Sequence, residues 1–565
     1  MQSSRFPAFL AAAVCAAPAL AQSSGVQQAR LELKALDNNA VFRARLWSTE
    51  IGRPAAVFFG QPGVFVPAGG KPPVLIQVRD ARLAQGVIGA DGVYELSVFV
   101  PPSTFMAGQT VFAQAFVPGR QGMLLASERV AVIAEALRTA RYNDVSGVLP
   151  PATQVAAGLD VDACDFDRDG DLDLSVTTDE QTLLVVNTGG AFADETLARL
   201  PGGFGQGSRD AEWADVDLDG DFDLLITGGV DPHGAASLPS RLLRNDGAGF
   251  FSLDPGFPAG PQYVSDAAFG DVDGDGDLDL VLATTAGIHG ALDTNALLIN
   301  QGGAQGGTLG AFVRDAAFDA ATWNDPLLQN EALAVGDLDR DGDLDLLFGR
   351  YDAGGVFGTG PGQPNVMLLN DGAGAFSDAS ATRLPVINGG TGDNTNGLAL
   401  ADVNGDGYLD VLAANSHGSV PAYAAGDLLL NRGAAAPGVF DNASALLPGL
   451  TAPEFTIVLG ATSGDVDLDG DTDLVLNSHE FFGSTGLVGS AALFVNQGLA
   501  QGGVEGTFAR DTAFFDTAGF GSFICPDGAF FDADGDGDLE YYAVAQGGIL
   551  DPTKTQDKLA RNALR

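Results

Sequence analysis

A ten-residue acidic motif, repeated seven times in one register, constrains this chain more than any other feature. It reads DFDRDGDLDL at 165–174, then DVDLDGDFDL (215–224), DVDGDGDLDL (271–280), DLDRDGDLDL (337–346), DVNGDGYLDV (402–411), DVDLDGDTDL (465–474) and DADGDGDLEY (532–541). The starts lie 50 to 67 residues apart, a period that belongs to propellers and solenoids. Gathering this many carboxylates is costly unless something neutralises them. Acidic or amide side chains at positions 1, 3, 5 and 9, with glycine at 6 for a sharp bend, wrap oxygens around one hard cation. Calcium accepts about six to eight oxygens in flexible loops, whereas magnesium demands a tighter octahedron. Acidic turns solvated without any metal are the alternative.

The odd-numbered loop positions are occupied by Asp165, Asp167, Asp169, Asp171 and Asp173 in loop one, and by Asp215, Asp217, Asp219, Asp221 and Asp223 in loop two. Loop three has Asp271, Asp273, Asp275, Asp277 and Asp279; loop four has Asp337, Asp339, Asp341, Asp343 and Asp345. Loop five, the least charged, has Asp402, Asn404, Asp406, Tyr408 and Asp410. Loops six and seven have Asp465, Asp467, Asp469, Asp471 and Asp473, and Asp532, Asp534, Asp536, Asp538 and Glu540. An EF-hand needs glutamate at position 12. Here that position holds Val176, Ile226, Leu282, Phe348, Ala413, Leu476 and Ala543, so each loop is a hairpin leading straight into a strand. The loops hold 33 of the 73 acidic residues, and seven bound Ca²⁺ would move the formal charge from −45 to about −31.

Each loop sits in a larger unit. An Ala/Gly-rich run such as EALAVG (331–336) precedes it and an apolar run such as LDLLFG (344–349) follows. A second hairpin comes next, with Asn-x-Gly turns as in LLRNDGAGFFSLD and MLLNDGAGAFSDAS. Four strands in about 60 residues make one propeller blade. The seventh unit stops after DKLARNALR, lacking its fourth strand. The missing piece precedes the first unit: RYNDVSGVLP (141–150) aligns with AFADETLARLP (191–201) and AFSDASATRLP (375–385). The expectation is an all-β, seven-bladed β-propeller with Ca²⁺-binding hairpin loops over 138–565. Strand 138–150 pairs with the C-terminal blade and removes an exposed edge.

The N-terminus reads as an address. Arg5, the apolar run FPAFLAAAVCAAPAL and Ala19-Leu20-Ala21 predict a signal peptide over 1–21, cleaved between Ala21 and Gln22. The expected location is therefore secreted, extracellular or periplasmic. No later stretch is apolar over the roughly 18 residues that span a bilayer, so no membrane insertion is expected. Residues 22–137 are β-rich, split by Gly/Pro turns and free of acidic loops, which predicts a small β-sandwich domain. The net charge repels nucleic acid and anionic lipid. Cys164 and Cys525 fall in neighbouring blades but six residues apart in register, roughly 20 Å, which predicts two free buried cysteines rather than a disulfide.

The repeats resemble the FG-GAP/VCBS repeat family, whose fold is that of the integrin α-subunit head; the resemblance covers 138–565. It implies Ca²⁺ ligation by the side chains at positions 1, 3, 5 and 9 and the position 7 carbonyl, about seven ions in all. It also implies calcium loops on one face of the disc and ligand contacts on the other. No Arg-Gly-Asp motif occurs.

No catalytic constellation composes itself. There is no G-x-S-x-G, and His479-Glu480 runs into Phe-Phe-Gly, so H-E-x-x-H fails. The expected role is a non-enzymatic, monomeric binding or adhesion module for an extracellular glycan or protein. The alternative is a secreted polysaccharide lyase or hydrolase on a propeller scaffold. The four histidines, His233, His289, His417 and His479, lie 14 to 18 residues past the first aspartate of their loops, which places them on the face opposite calcium. With Trp323 and Tyr263 they form the candidate ligand face, rings and polar groups together suiting a sugar-like ligand. The alternative is that the histidines cap turns and the rings are buried between blades.

Overall fold

The apolar run behind each acidic loop forms the second strand of a four-stranded antiparallel sheet, seven times over. The computed structural model describes the backbone of ten strands between Ala29 and Ile133. It then describes residues 142–562 apart from 155–156, 179, 201–207, 230–238, 259, 261–262, 286–293, 326–327, 352–361, 388–393, 417–425, 449–456, 480–490, 499–502, 512–524, 536–537 and 546–556. Residues 1–21, expected from the sequence to be a signal peptide, and the loop residue Asp536 lie outside the described residues.

Blade one runs Gly158–Cys164, Asp173–Thr178, Thr182–Thr188 and Ala191–Asp194, and blade two Ala211–Ala214, Asp223–Ile226, Arg241–Asn245 and Phe251–Leu253. Blade three is Val264–Gly270, Asp279–Thr284, Ala296–Asn300 and Phe312–Arg314; blade four is Gln329–Gly336, Asp345–Tyr351, Val366–Asn370 and Phe376–Asp378. Blades five and six are Thr395–Ala401, Asp410–Asn415, Gly426–Asn431 and Phe440–Asn442, then Ile457–Gly464, Asp473–His479, Ala491–Asn496 and Phe508–Asp511. Blade seven takes three strands from the C-terminus, Gly528–Phe531, Glu540–Ala543 and Lys558–Asn562, and its fourth, Tyr142–Asp144, from before blade one.

That fourth strand pairs Tyr142 with Asn562 and Asp144 with Ala560. The Tyr142 ring is buried and its hydroxyl donates to the Leu539 carbonyl at 3.0 Å. The edge of Lys558–Asn562, otherwise a template for foreign strands, is thereby covered.

Second strands such as Asp173–Thr178 and Asp279–Thr284 are buried at every residue because both of their faces are covered by neighbouring blades. First strands are buried less regularly, and outer strands such as Ala191–Asp194 bury one residue in four. The core is a ring of interblade layers rather than one mass. Between blades seven and one, Leu174, Val176 and Phe192 pack on Phe531, Tyr542 and Leu559. Each fully buried Leu or Val contributes about 1.5–3 kcal/mol.

The N-terminal strands form two larger antiparallel sheets. One orders Ala29–Leu36, Val41–Ser48 and Val93–Phe99. The other orders Val130–Ile133, Thr110–Pro118, Pro54–Gly60 and Arg82–Val87, with Leu124–Ala126 also on Thr110–Pro118. Among the described residues, no helix is long and apolar enough to cross a membrane. Cys164 and Cys525 are both buried and free.

Candidate metal centre

Each acidic loop closes on its own first carboxylate. In loop two the amides of Asp219 and Gly220 donate to the two oxygens of Asp215, both at 3.0 Å. Loops three, four, five and six repeat this clasp on Asp271, Asp337, Asp402 and Asp465. The bend needs left-handed backbone at two places. Glycine at position 6 has φ of 85–104° in loops one to six. Position 4 is left-handed too, glycine in loops three, five and seven but Arg168, Leu218, Arg340 and Leu468 in the others, at φ 54–63°. A side chain there is strained, and the surrounding clasp must hold it.

Position 9 is a strut as well as a candidate ligand. One oxygen of Asp279 accepts from the Val272 amide (3.1 Å) and the other from Asn300 (2.8 Å), and Asp345, Asp410 and Asp473 repeat the pattern. Carboxylate oxygens come within 4.8 Å of one another in Asp165/Asp167/Asp173, Asp215/Asp217/Asp219 and Asp271/Asp273/Asp279. Two oxygens on opposite sides of a Ca²⁺ lie about 4.6–5.2 Å apart, so this spacing suits that ion.

The donors also fit by what they lack. Asp165 Oδ1, Asp173 Oδ2, Asp273 Oδ1, Asp469 Oδ2 and both side-chain oxygens of Asp277 and Asp471 are buried without a hydrogen-bond partner among the described residues. Burial, joined by repulsion from neighbouring loop carboxylates, pushes Asp173 up to about 8, Asp279 to about 7 and Asp471 to about 9. Buried acceptor-only oxygens with no donor call for a cation. When bound, calcium would supply the positive charge that lets these groups ionise together.

Arginines complete the wall without filling it. Arg199 contacts Asp167 Oδ2 (2.8 Å), Arg244 contacts Asp217 (3.4 Å), Arg383 contacts Asp339 Oδ2 (3.2 Å) and Arg561 contacts Asp534 Oδ2 (3.2 Å), each at position 3, and Arg244 also meets Asp223 Oδ2 at position 9 (2.8 Å). In Asp339 and Asp534 the second oxygen is buried and has no hydrogen-bond partner among the described residues, leaving one oxygen for an ion. Arg199 also donates to the Ala248 and Gly249 carbonyls, Arg244 to Gly310 and Arg383 to Pro437, each in the next blade's outer turn. Arg340 lies over the Tyr408 ring at 4.8 Å, joining loops four and five.

An asparagine tie links each loop to its neighbour. The third strand of every blade has an asparagine at its end or, in blade one, one residue before it: Asn187, Asn245, Asn300, Asn370, Asn431, Asn496 and Asn562. Each amide donates to the position 2 carbonyl of the preceding blade's loop, as Asn300 does to Val216 at 2.9 Å. Asn187 reaches Ala533 at 2.7 Å, which carries the tie across the closure from blade one to blade seven. The sequence reading took Asn-x-Gly as a turn signal only; the constant asparagine at the strand end was the missed cue.

The candidate ligand face is less concentrated. His233, His289 and His417 lie outside the described residues, and His479 ends the second strand of blade six. Trp323 sits 4.9 Å from Phe318 and stacks at 5.7 Å on Phe348, within the apolar layer between blades three and four. Tyr263 adopts left-handed backbone at φ 62° just before the first strand of blade three.

Seven blades, each with an Asp-rich hairpin between its first two strands, define a seven-bladed β-propeller. The chain carries FG-GAP-like repeats: that family matches residues 165–226, spanning loops one and two, and 353–413, spanning loop five. Among curated proteins nothing matches. A solved structure described as "Crystal structure of BBS1N in complex with ARL6DN, soaked with mercury" is similar over 76% of this chain and 97% of that one, with 12% identity and a TM-score of 0.38.

Proposed function

We propose that the chain is an exported, calcium-binding propeller that acts as a non-enzymatic binding module for an extracellular glycan or protein. In this reading residues 1–21 are a cleaved signal peptide and 22–137 a β-sandwich. Calcium at the seven loops stiffens one rim, and the opposite rim meets the ligand. The division of labour between the rims carries the reading. All acidic loops and Asn-x-Gly turns share one rim. The connections from second to third strand leave the other, and they are long in six blades: 227–240, 285–295, 352–365, 416–425, 480–490 and 544–557, against only 179–181 in blade one. Variable connections on a rigid scaffold are where recognition is usually placed.

The test is a glycan array and an extracellular-protein screen, each run with calcium and with chelator. The His417→Ala/His479→Ala variant is then measured against every hit. Trp323 is left intact because it packs against Phe318 and Phe348. At least a tenfold loss of affinity with unchanged calcium content supports the reading. Unchanged affinity moves the site off this rim, and turnover of a hit would favour the lyase or hydrolase alternative.

A further inference from the structure

The first strands, or the residue just before them, carry acids that the loop motif does not include. Asp160 and Asp162 precede loop one, Asp210 and Glu212 precede loop two, and Asp266 and Asp527 precede loops three and seven. Positions five and three before a loop lie on one side of a strand, so these carboxylates share a direction. The propeller brings them together in an axial cavity of about 830 Å³.

Two triads meet there. Oxygens of Asp160, Asp162 and Asp210 lie within 4.8 Å of one another, as do those of Asp210, Glu212 and Asp266. Asp210, common to both, is only 7% exposed, and its Oδ2 has no hydrogen-bond partner among the described residues. Compensation is slight. Asp160 accepts from the Ala211 amide at 3.3 Å and Asp266 from the Leu333 amide at 2.6 Å. Arg209, the one cation among the lining residues, is engaged with Glu331 at 2.9 Å. Burial and mutual repulsion hold Asp162, Asp210 and Glu212 well above the usual carboxylate range.

We infer that the axial cavity is a further site for one hard divalent cation of the calcium class, held between the two triads with Asp210 as the shared ligand. Oxygen-only donors in an irregular cluster suit calcium better than magnesium's strict octahedron. The site is independent of the seven hairpin loops and uses none of their residues.

The experiment counts ions on the full-length chain. Wild type and an Asp210→Asn/Glu212→Gln variant are gel-filtered in buffer holding saturating calcium, and the calcium in excess of that buffer is measured by elemental analysis beside protein concentration. The axial site predicts one ion fewer in the variant, with the remainder retained. Equal counts overturn it. If the hairpin loops bind nothing, wild type holds one ion and the variant none, so failure of the loop reading is read separately. Should the double variant not fold, wild-type crystals soaked in a lanthanide answer the question. An anomalous peak between Asp162, Asp210 and Glu212 supports the site, and peaks confined to the loops refute it.

Discussion

Replacing Asn300 by alanine tests whether the asparagine ties hold the ring together. The Asn300 side chain is fully buried. Its Nδ2 donates to the Val216 carbonyl at 2.9 Å and the Leu278 carbonyl at 3.2 Å, and its Oδ1 accepts from the Gly310 amide at 2.8 Å. Alanine removes this side-chain partner from all three main-chain groups. At about 1 kcal/mol for each, the loss is about 3 kcal/mol. A propeller of roughly 430 residues unfolds with an entropy near 0.9 kcal/mol/K, so the melting temperature should fall by about 3 °C. The assay is calorimetry in saturating calcium, with Ser377→Ala as control because that hydroxyl is exposed and makes only a 3.5 Å contact to Leu369. The control should move by under about 1 °C. An Asn300→Ala shift no larger than the control's would refute the ties as structural elements.

Asp339→Ala should remove one calcium and leave the others, because the loops share no ligand; elemental analysis counts the difference. Deleting 138–150 should bare Lys558–Asn562 and produce aggregation in light scattering, whereas a monomer of unchanged stability would mean the ring does not depend on Tyr142–Asp144. The metal-free chain should lose stability as pH rises. Burial raises Asp173 to about 8 and Asp223, Asp279, Asp345 and Asp410 to about 7, above their unfolded values near 4. Their contribution is present in full below about pH 4 and disappears through pH 7–8. The calcium-induced rise in melting temperature should therefore be larger at pH 8 than at pH 5, and equal rises would show that these carboxylates do not meet the ion.

The loops were legible because their chemistry is local: five spaced oxygens and a glycine bend lie within nine residues. The blade pattern followed because apolar runs buried on both faces carry no alternation, as in Asp279–Thr284. What stayed hidden depends on neighbours distant in the chain. Nothing local marks Asn562 as a partner of Val466, 96 residues away, or Arg244 as a partner of Gly310. Left-handed Arg168 and Leu218 look like ordinary loop residues, since glycine is what that backbone normally selects. No local pattern marks the axial acids, because only ring closure puts Asp160 and Asp527, from blades one and seven, in one cavity. Trp323 was one of the candidate ligand-face residues, with burial between blades as the alternative, and its packing on Phe318 and Phe348 is a contact that residue order alone does not specify.

Calcium content and melting temperature, measured together on the full-length chain before and after exhaustive chelation, test the loops most directly. Seven occupied hairpin loops predict about seven calcium ions per chain, eight with the axial site, at affinities of roughly 10⁻⁴–10⁻³ M. Chelation should then lower the melting temperature, because the ions bind the folded state alone. A chain that carries no calcium and melts at the same temperature in chelator would contradict the reading of these loops as metal sites.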